Sequence, residues 1–218
     1  AKWDDQDGDG FRDASEPGLA DVVVFLDLND NGSPDVDEPT ATTVADDPGT
    51  SDVDETGEPE ILLDTMHHAR EIMSGEFGIL WADYLCSNYG TDPVITWLMD
   101  NRELYLVSIV NPDGVVYNET TNPAGGGMWR KNRRNNGDGS FGVDLNRNFG
   151  YEWGYDNIGS SPTPSSILYR GPAPFSEPET QALEAYARAI FDDQRNPGDD
   201  DAAPLDASGL FISLHSYG

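Results

Sequence analysis

His68 and Glu71 stand three residues apart, just after the short apolar run EILLDTM, and the chain holds only three histidines, at 67, 68 and 215. An imidazole and a carboxylate at that spacing can face the same way if the chain turns helical between them. Zinc hydrolases use two or three such ligands and keep one position open for water. A third ligand must come from elsewhere. His67 adjoins His68 and on an extended chain points to the opposite face. That leaves His215, at the end of the apolar run GLFISLH. A His-x-x-Glu pair alone does not establish a metal site, since such pairs also occur as ordinary surface or core residues.

A second set of oxygen-bearing residues opens the chain. Asp5, Asp7, Asp9, Gly10 and Glu16 fall at positions 1, 3, 5, 6 and 12 of a calcium loop. Asp27, Asn29, Asn31, Gly32, Asp35 and Glu38 repeat the spacing, with an added oxygen at position 9. Alternating oxygens wrap a hard cation, the glycine allows the sharp turn, and the distal carboxylate closes the shell. These are not EF-hands, because Glu16 runs into Pro-Gly and then the strand-like DVVVFLDL. The bland alternative is an acidic linker.

The elements that must position these groups come in two styles. Residues 1–39 read as a β-type calcium-loop segment, and 40–57 (TATTVADDPGTSDVDETG) as a linker. From 58 to 218 strands alternate with helices, which predicts a mixed, largely parallel sheet flanked by helices. EILLDTM, ELYLVSIV and GLFISLH read as strands, the last two buried. EIMSGEFGILWADYLCSNYG, PVITWLMDN and SEPETQALEAYARAIFDDQ read as helices, the third capped by its leading Ser176. The stretch from Asn111 to Ser160 has little periodicity, and a long irregular segment inside a compact domain is usually functional.

Composition narrows the partners. With 41 acids against 12 bases the net charge is −29, which repels nucleic acid and anionic membranes. The acids concentrate at the front: residues 1–57 hold 17 of them against two bases. The only lysines are Lys2 and Lys131, and an Asp-rich, Lys-poor surface fits either a high-salt habitat or the calcium loops alone. No apolar run is long enough to span a membrane, and the first residues do not read as a signal peptide. Cys86 stands alone, so no internal disulfide forms, and its setting ILWADYLCSNYG predicts a buried thiol.

The motifs HHAREIMS, NPDG, MWRKNR, GVDLNRNF and SLHSYG occur in this order, and together they resemble the zinc metallocarboxypeptidases. The likeness is to the bacterial carboxypeptidase T branch, through EPEILLDTMHHARE, NREL and YRGPAPFSEPET, and it runs over residues 58–218. It implies one zinc held by His68, Glu71 and His215. Arg130 would polarise the scissile carbonyl and stabilise the oxyanion. Asn146 and Arg147 would clamp the substrate's terminal carboxylate, with Arg70 and Tyr217 at further substrate subsites. Asp52, Asp54, Glu55, Glu58, Glu60 and Glu103 lie where that branch has an acidic calcium cluster. The front segment, residues 3–39, resembles the Sdr-type B repeats of bacterial surface proteins, which implies structural calcium.

The resemblance implies a secreted enzyme that cleaves single residues from peptides with a free C-terminal carboxylate. The strand pair that usually precedes EPEILLD is missing. The family's general-base glutamate and capping tyrosine would fall beyond Gly218, so a fragment or truncated gene is the economical expectation. Two other readings stay open. One is a calcium-dependent surface module with a non-catalytic peptidase-like domain. The other is a zinc amidohydrolase acting on cell-wall peptides, against which Arg130 with Asn146–Arg147 argues.

Overall fold

The structure is a computed structural model that describes residues 58–195 and 202–217, together with two short strands of the acidic front. The chain divides into two compact units, Ala1–Gly57 and Glu58–Gly218. In the first, β1 (Val23–Phe25) pairs antiparallel with β2 (Thr40–Thr42), Val23 opposite Thr42. β1 lies in the strand-like DVVVFLDL. β2 corrects the expectation that the linker starts at residue 40, since Thr-Ala-Thr suits a strand and β1 needs a partner for its backbone groups. Asp5, Asp7, Asp9, Glu16, Asp27, Asn29, Asn31, Asp35 and Glu38 lie outside the described residues, as do Asp52, Asp54 and Glu55.

The second unit is built on a parallel sheet. β3 (Glu60–Thr65) is central, flanked by β4 (Glu103–Val107) and β5 (Leu210–Leu214). Leu62 and Leu63 alternate across β3 and are both buried, as a central strand covered on two faces requires. Leu62 meets Val110, Leu145 and Leu183 in the main core, and Met66, Ala69 and Val115 form a smaller cluster. β4 is only half-buried and β5 largely exposed, contrary to the expectation of two buried strands. Both are edges of the three-stranded sheet, where one side has no neighbour among the described residues.

Among the described residues the α-helices are α1 (Ile72–Asn88), α2 (Pro93–Asp100), α3 (Pro112–Thr121) and α4 (Pro178–Ile190). α1 turns Ser74, Gly75, Gly78 and Leu85 inward. Cys86 follows Leu85 and is rotated about 100° from it, so the thiol expected to be buried is exposed. α4 is capped at Glu177 with no side-chain hydrogen bond, and Ser176 does not cap it. The Ser176 hydroxyl instead donates to Glu177 Oε1 (2.7 Å) and accepts from Asn148 Nδ2 (2.9 Å).

α3 lies in the segment that shows no periodicity. Its residues PDGVVYNETT are poor helix formers, but Asn111 caps Gly114 N–H (3.0 Å) and Pro112 opens the first turn. Gly114 lets this helix come close: a Cβ there would lie 2.7 Å from Ala69 Cβ and from the Lys131 carbonyl. α3 is thereby locked against the two segments that carry the site.

Candidate metal centre

The chain leaves β3 through a tight corner. Met66 takes a left-handed φ of 56°, uncommon for a side chain of its size, and turns the backbone out of the strand. Glu71 N–H then donates to His68 C=O (3.0 Å), so the two side chains emerge on one side, and α1 starts directly after Glu71. β5 runs parallel to β3 with Leu214 opposite Thr65, which delivers His215 to the same end of the sheet. This is the carboxyl end of parallel strands, where open α/β sheets place their ligands.

Three donors converge there. His68 Nδ1 lies 2.8 Å from Glu71 Oε1, and His215 Nδ1 lies 2.9 Å from Glu71 Oε2 and 3.2 Å from His68 Nδ1. Ligands about 2.0 Å from a tetrahedral zinc sit about 3.3 Å apart, so this set closes on one ion with little movement. His68 Nε2 donates to Asp144 Oδ1 (3.0 Å), which holds the ring proton on Nε2 and leaves the Nδ1 lone pair for metal. Two imidazoles and a carboxylate, with a fourth direction left for water or substrate, suit a catalytic zinc.

Asp144 also receives Arg130, through Nε (3.1 Å) and Nη2 (2.9 Å), while Arg130 Nη1 lies 3.6 Å from Glu71 Oε1. Burial pushes the Asp144 carboxyl up, but the His68 hydrogen bond and the Arg130 charge outweigh it and hold it below the usual range. Two buried asparagines fix the loops. Asn111 Nδ2 donates to His67 C=O (3.0 Å), and Asn118 Nδ2 donates to the carbonyls of Ala69 (3.1 Å) and Trp129 (2.9 Å). The Ala69 N–H to Arg130 C=O bond (3.1 Å) ties the ligand loop to the arginine loop directly.

The sequence profile of the family described as "Zinc carboxypeptidase" matches residues 35–218. The chain belongs to the zinc carboxypeptidase family. Carboxypeptidase A2 of Rattus norvegicus is 39% identical over 160 residues, covering 73% of this chain and 33% of that protein. Carboxypeptidase A5 of Homo sapiens is 36% identical over 163 residues, covering 73% and 32%. Among solved structures, thrombin activatable fibrinolysis inhibitor superposes with a TM-score of 0.60 at 29% identity, over 73% of this chain and 35% of that one. Carboxypeptidase A from Helicoverpa armigera gives 0.55 at 29%, over 74% and 34%. The chain thus spans about a third of the length of the curated relatives it matches. The family match begins upstream of Glu58, where the motif resemblance starts.

Of the residues the zinc carboxypeptidase motifs single out, His68, Glu71, His215 and Arg130 come together. Asn146 joins them, its Nδ2 lying 3.3 Å from His215 Nε2. Arg147 follows in the same short 3₁₀ turn, Leu145–Arg147, but its Nε and Nη1 donate to the carbonyls of Gly159 (2.7 Å) and Asn146 (2.8 Å). The Arg70 Nε is buried with no hydrogen-bond partner. Tyr217 is fully exposed. Glu60 and Glu103 stand side by side in the β3–β4 register, at the opposite end of the strands from the metal centre.

Sequence reasoning missed Asp144. It lies inside GVDLNRNF, two residues before Asn146, and an acid amid an Asn/Arg motif was the available signal. His67 also differs from expectation. The chain bends rather than extends there, so His67 does not point across a sheet. Its ring is buried 5.5 Å from that of His215, outside the donor set.

Two buried groups beside the site oppose each other in pH dependence. Burial raises Asp64 to about 7. Burial, with the His215 and His68 charges, lowers His67 to about 3. An acid raised on folding contributes stability that is full below its unfolded value, about 3.9, and lost as pH climbs to the folded one. A base lowered on folding costs stability as pH falls below about 6.5. The two cancel between about pH 4 and 6.5. In the metal-free protein, Asp64→Asn should therefore unmask the histidine, giving stability that rises with pH by up to roughly 3 kcal/mol over this window. Denaturant unfolding of both proteins in chelator across that range checks the slope. Parallel curves would mean Asp64 stays ionised.

Proposed function

We propose that this chain carries the metal centre of a zinc-dependent carboxypeptidase, which hydrolyses the C-terminal bond of peptides bearing a free α-carboxylate. The observation that supports it most is the convergence of His68 Nδ1, Glu71 and His215 Nδ1 beside the Arg130 guanidinium. Zinc, when bound, supplies Lewis-acid polarisation of the carbonyl and brings the pKa of water to about 7. Asp144 holds His68 in the tautomer that binds metal and keeps Arg130 in place. Arg130 then presents a fixed cation to the developing oxyanion. Asn146 and Arg147 bind the terminal carboxylate, for which a planar guanidinium fork is suited. Arg70 and Tyr217 contact the substrate further along.

A blocked dipeptide with a free carboxylate, compared with its amide, tests the substrate class. The acid should be cleaved about 10–100-fold faster, the worth of a charge-assisted contact, and Arg147→Ala should erase the difference. Equal rates on both would favour an amidohydrolase instead.

The same reading makes the protein extracellular, with calcium held by the front loops as a structural ion. The support is the repeated loop spacing, from Asp5 to Glu16 and from Asp27 to Glu38. Deleting residues 1–40 should remove the calcium uptake of both loops in a titration and leave zinc unchanged. Undiminished calcium uptake would reduce the segment to an acidic linker.

A further inference from the structure

Behind His215 lies a buried polar group that neither the motifs nor the metal site employs. Asp64 is fully buried, and neither carboxylate oxygen has a hydrogen bond of good geometry. An ionisable group left so in a protein interior is costly, and such exceptions call for a reason. Its surroundings supply one. Asp64 and Ser213 are register partners on β3 and β5, so their side chains share a sheet face. His67 Nδ1 lies 3.4 Å from Asp64 Oδ1 and 3.3 Å from Ser213 Oγ, and Phe149 stands edge-on to the His67 ring. Ser213 Oγ in turn lies 3.5 Å from His215 Nε2.

The chain of contacts acquires a direction once His215 Nδ1 is committed to metal. The ring proton must then sit on Nε2, which becomes a donor in need of an acceptor. Asn146 Nδ2 lies 3.3 Å from that atom, a donor facing a donor unless the amide rotates to present its oxygen. The Ser213 hydroxyl can accept from Nε2–H and donate to Asp64. His67 Nδ1–H can donate to Asp64 Oδ1, 3.4 Å away. The His215 Nε2–H and the buried carboxylate then both have partners.

We propose that Ser213 and Asp64 are positioning residues for the metal centre, an outer carboxylate–serine relay that orients His215 as Asp144 orients His68. The proposal rests on the reading that His68, Glu71 and His215 bind zinc. Both imidazole ligands would then be anchored to buried carboxylates, one directly and one through a hydroxyl, with His67 Nδ1 also facing Asp64 Oδ1.

The test is zinc affinity by chelator competition, with the visible spectrum of the cobalt-substituted protein as a second readout, for Ser213→Ala, Asp64→Asn and the double variant. Loss of an outer partner of a metal-binding histidine typically weakens affinity 10–100-fold. Each single variant should lose that much and shift the cobalt bands, and the double variant should lose no more than the worse single one, because one relay is broken either way. Ser213→Ala decides alone if Asp64→Asn fails to fold, since it removes one oxygen from an edge strand. Zinc affinity within threefold of the parent, with unmoved cobalt bands, would overturn the relay. So would losses that simply multiply in the double variant. If the parent itself takes up no zinc, it is the metal reading that fails, a distinguishable result.

Discussion

His68→Ala should abolish stoichiometric zinc uptake, while His67→Ala leaves it at one ion per chain. Tetrahedral protein sites hold zinc with roughly 10–16 kcal/mol, or about 3–4 kcal/mol per ligand, so removing one ligand costs roughly 10²–10³ in affinity. His68 has a further part to play. It is the imidazole braced by Asp144, and its Nδ1 lies within 3.2 Å of His215 Nδ1 and 2.8 Å of Glu71 Oε1. Its loss leaves only His215 Nδ1 and Glu71 Oε2, 2.9 Å apart, too few donors to retain zinc against a chelator. His67 is equally buried but stands outside the donor set, so its removal should weaken zinc only through packing and the hydrogen bonds behind His215. Metal analysis after dialysis against a weak chelator separates the cases. Full zinc in the His68 variant would exclude this ligand set.

Asp144→Ala should destabilise the second unit by about 3–5 kcal/mol, the usual cost of removing one partner of a buried ion pair. Asp144 is fully buried and the Arg130 side chain is 11% exposed, so the guanidinium would lose both hydrogen bonds to Asp144 and retain Glu71 Oε1 at 3.6 Å. Asp144→Asn should cost less, since an amide oxygen can still accept from Arg130. The penalty should depend on pH. Asp144 is held below its unfolded value, so its contribution is complete above about pH 4 and is lost as pH falls through the folded value. Parent and variant unfolding curves should therefore approach each other in acid. A gap that stays constant from neutral pH down to pH 2 would mean that the charge of Asp144 contributes nothing.

How much of this was legible in advance depends on how local the cause is. β3, α1, α2 and α4 follow from periodicity and termini, since Asp92 before Pro93 and Pro178 after Glu177 are local signals. The convergence of His68, Glu71 and His215 was legible because histidine is so scarce that His215 had few competitors. α3 was not legible, since its support comes from Gly114 and Asn118 packed against distant loops rather than from helix propensity. Cys86 was misjudged because α1 is apolar on more than one side, with Phe77, Leu80 and Tyr84 all exposed, so hydrophobicity gave no clean inner face. Strand burial was misjudged at β5 because neighbours in a sheet are a tertiary fact. Asp144 escaped notice for a related reason. Its role exists only when residues 68, 130 and 144 meet, and no spacing in the chain announces that meeting.

The central claim is that His68, Glu71 and His215 form one zinc site, and X-ray absorption at the zinc edge of the loaded protein tests it most directly. The account predicts one zinc per chain, with two imidazole nitrogens at about 2.0–2.1 Å, light oxygen scatterers completing the shell and no sulfur. The imidazole signal should fall to a single ring in the His215→Ala variant. A shell of oxygens alone, or an unchanged imidazole signal in that variant, would contradict it.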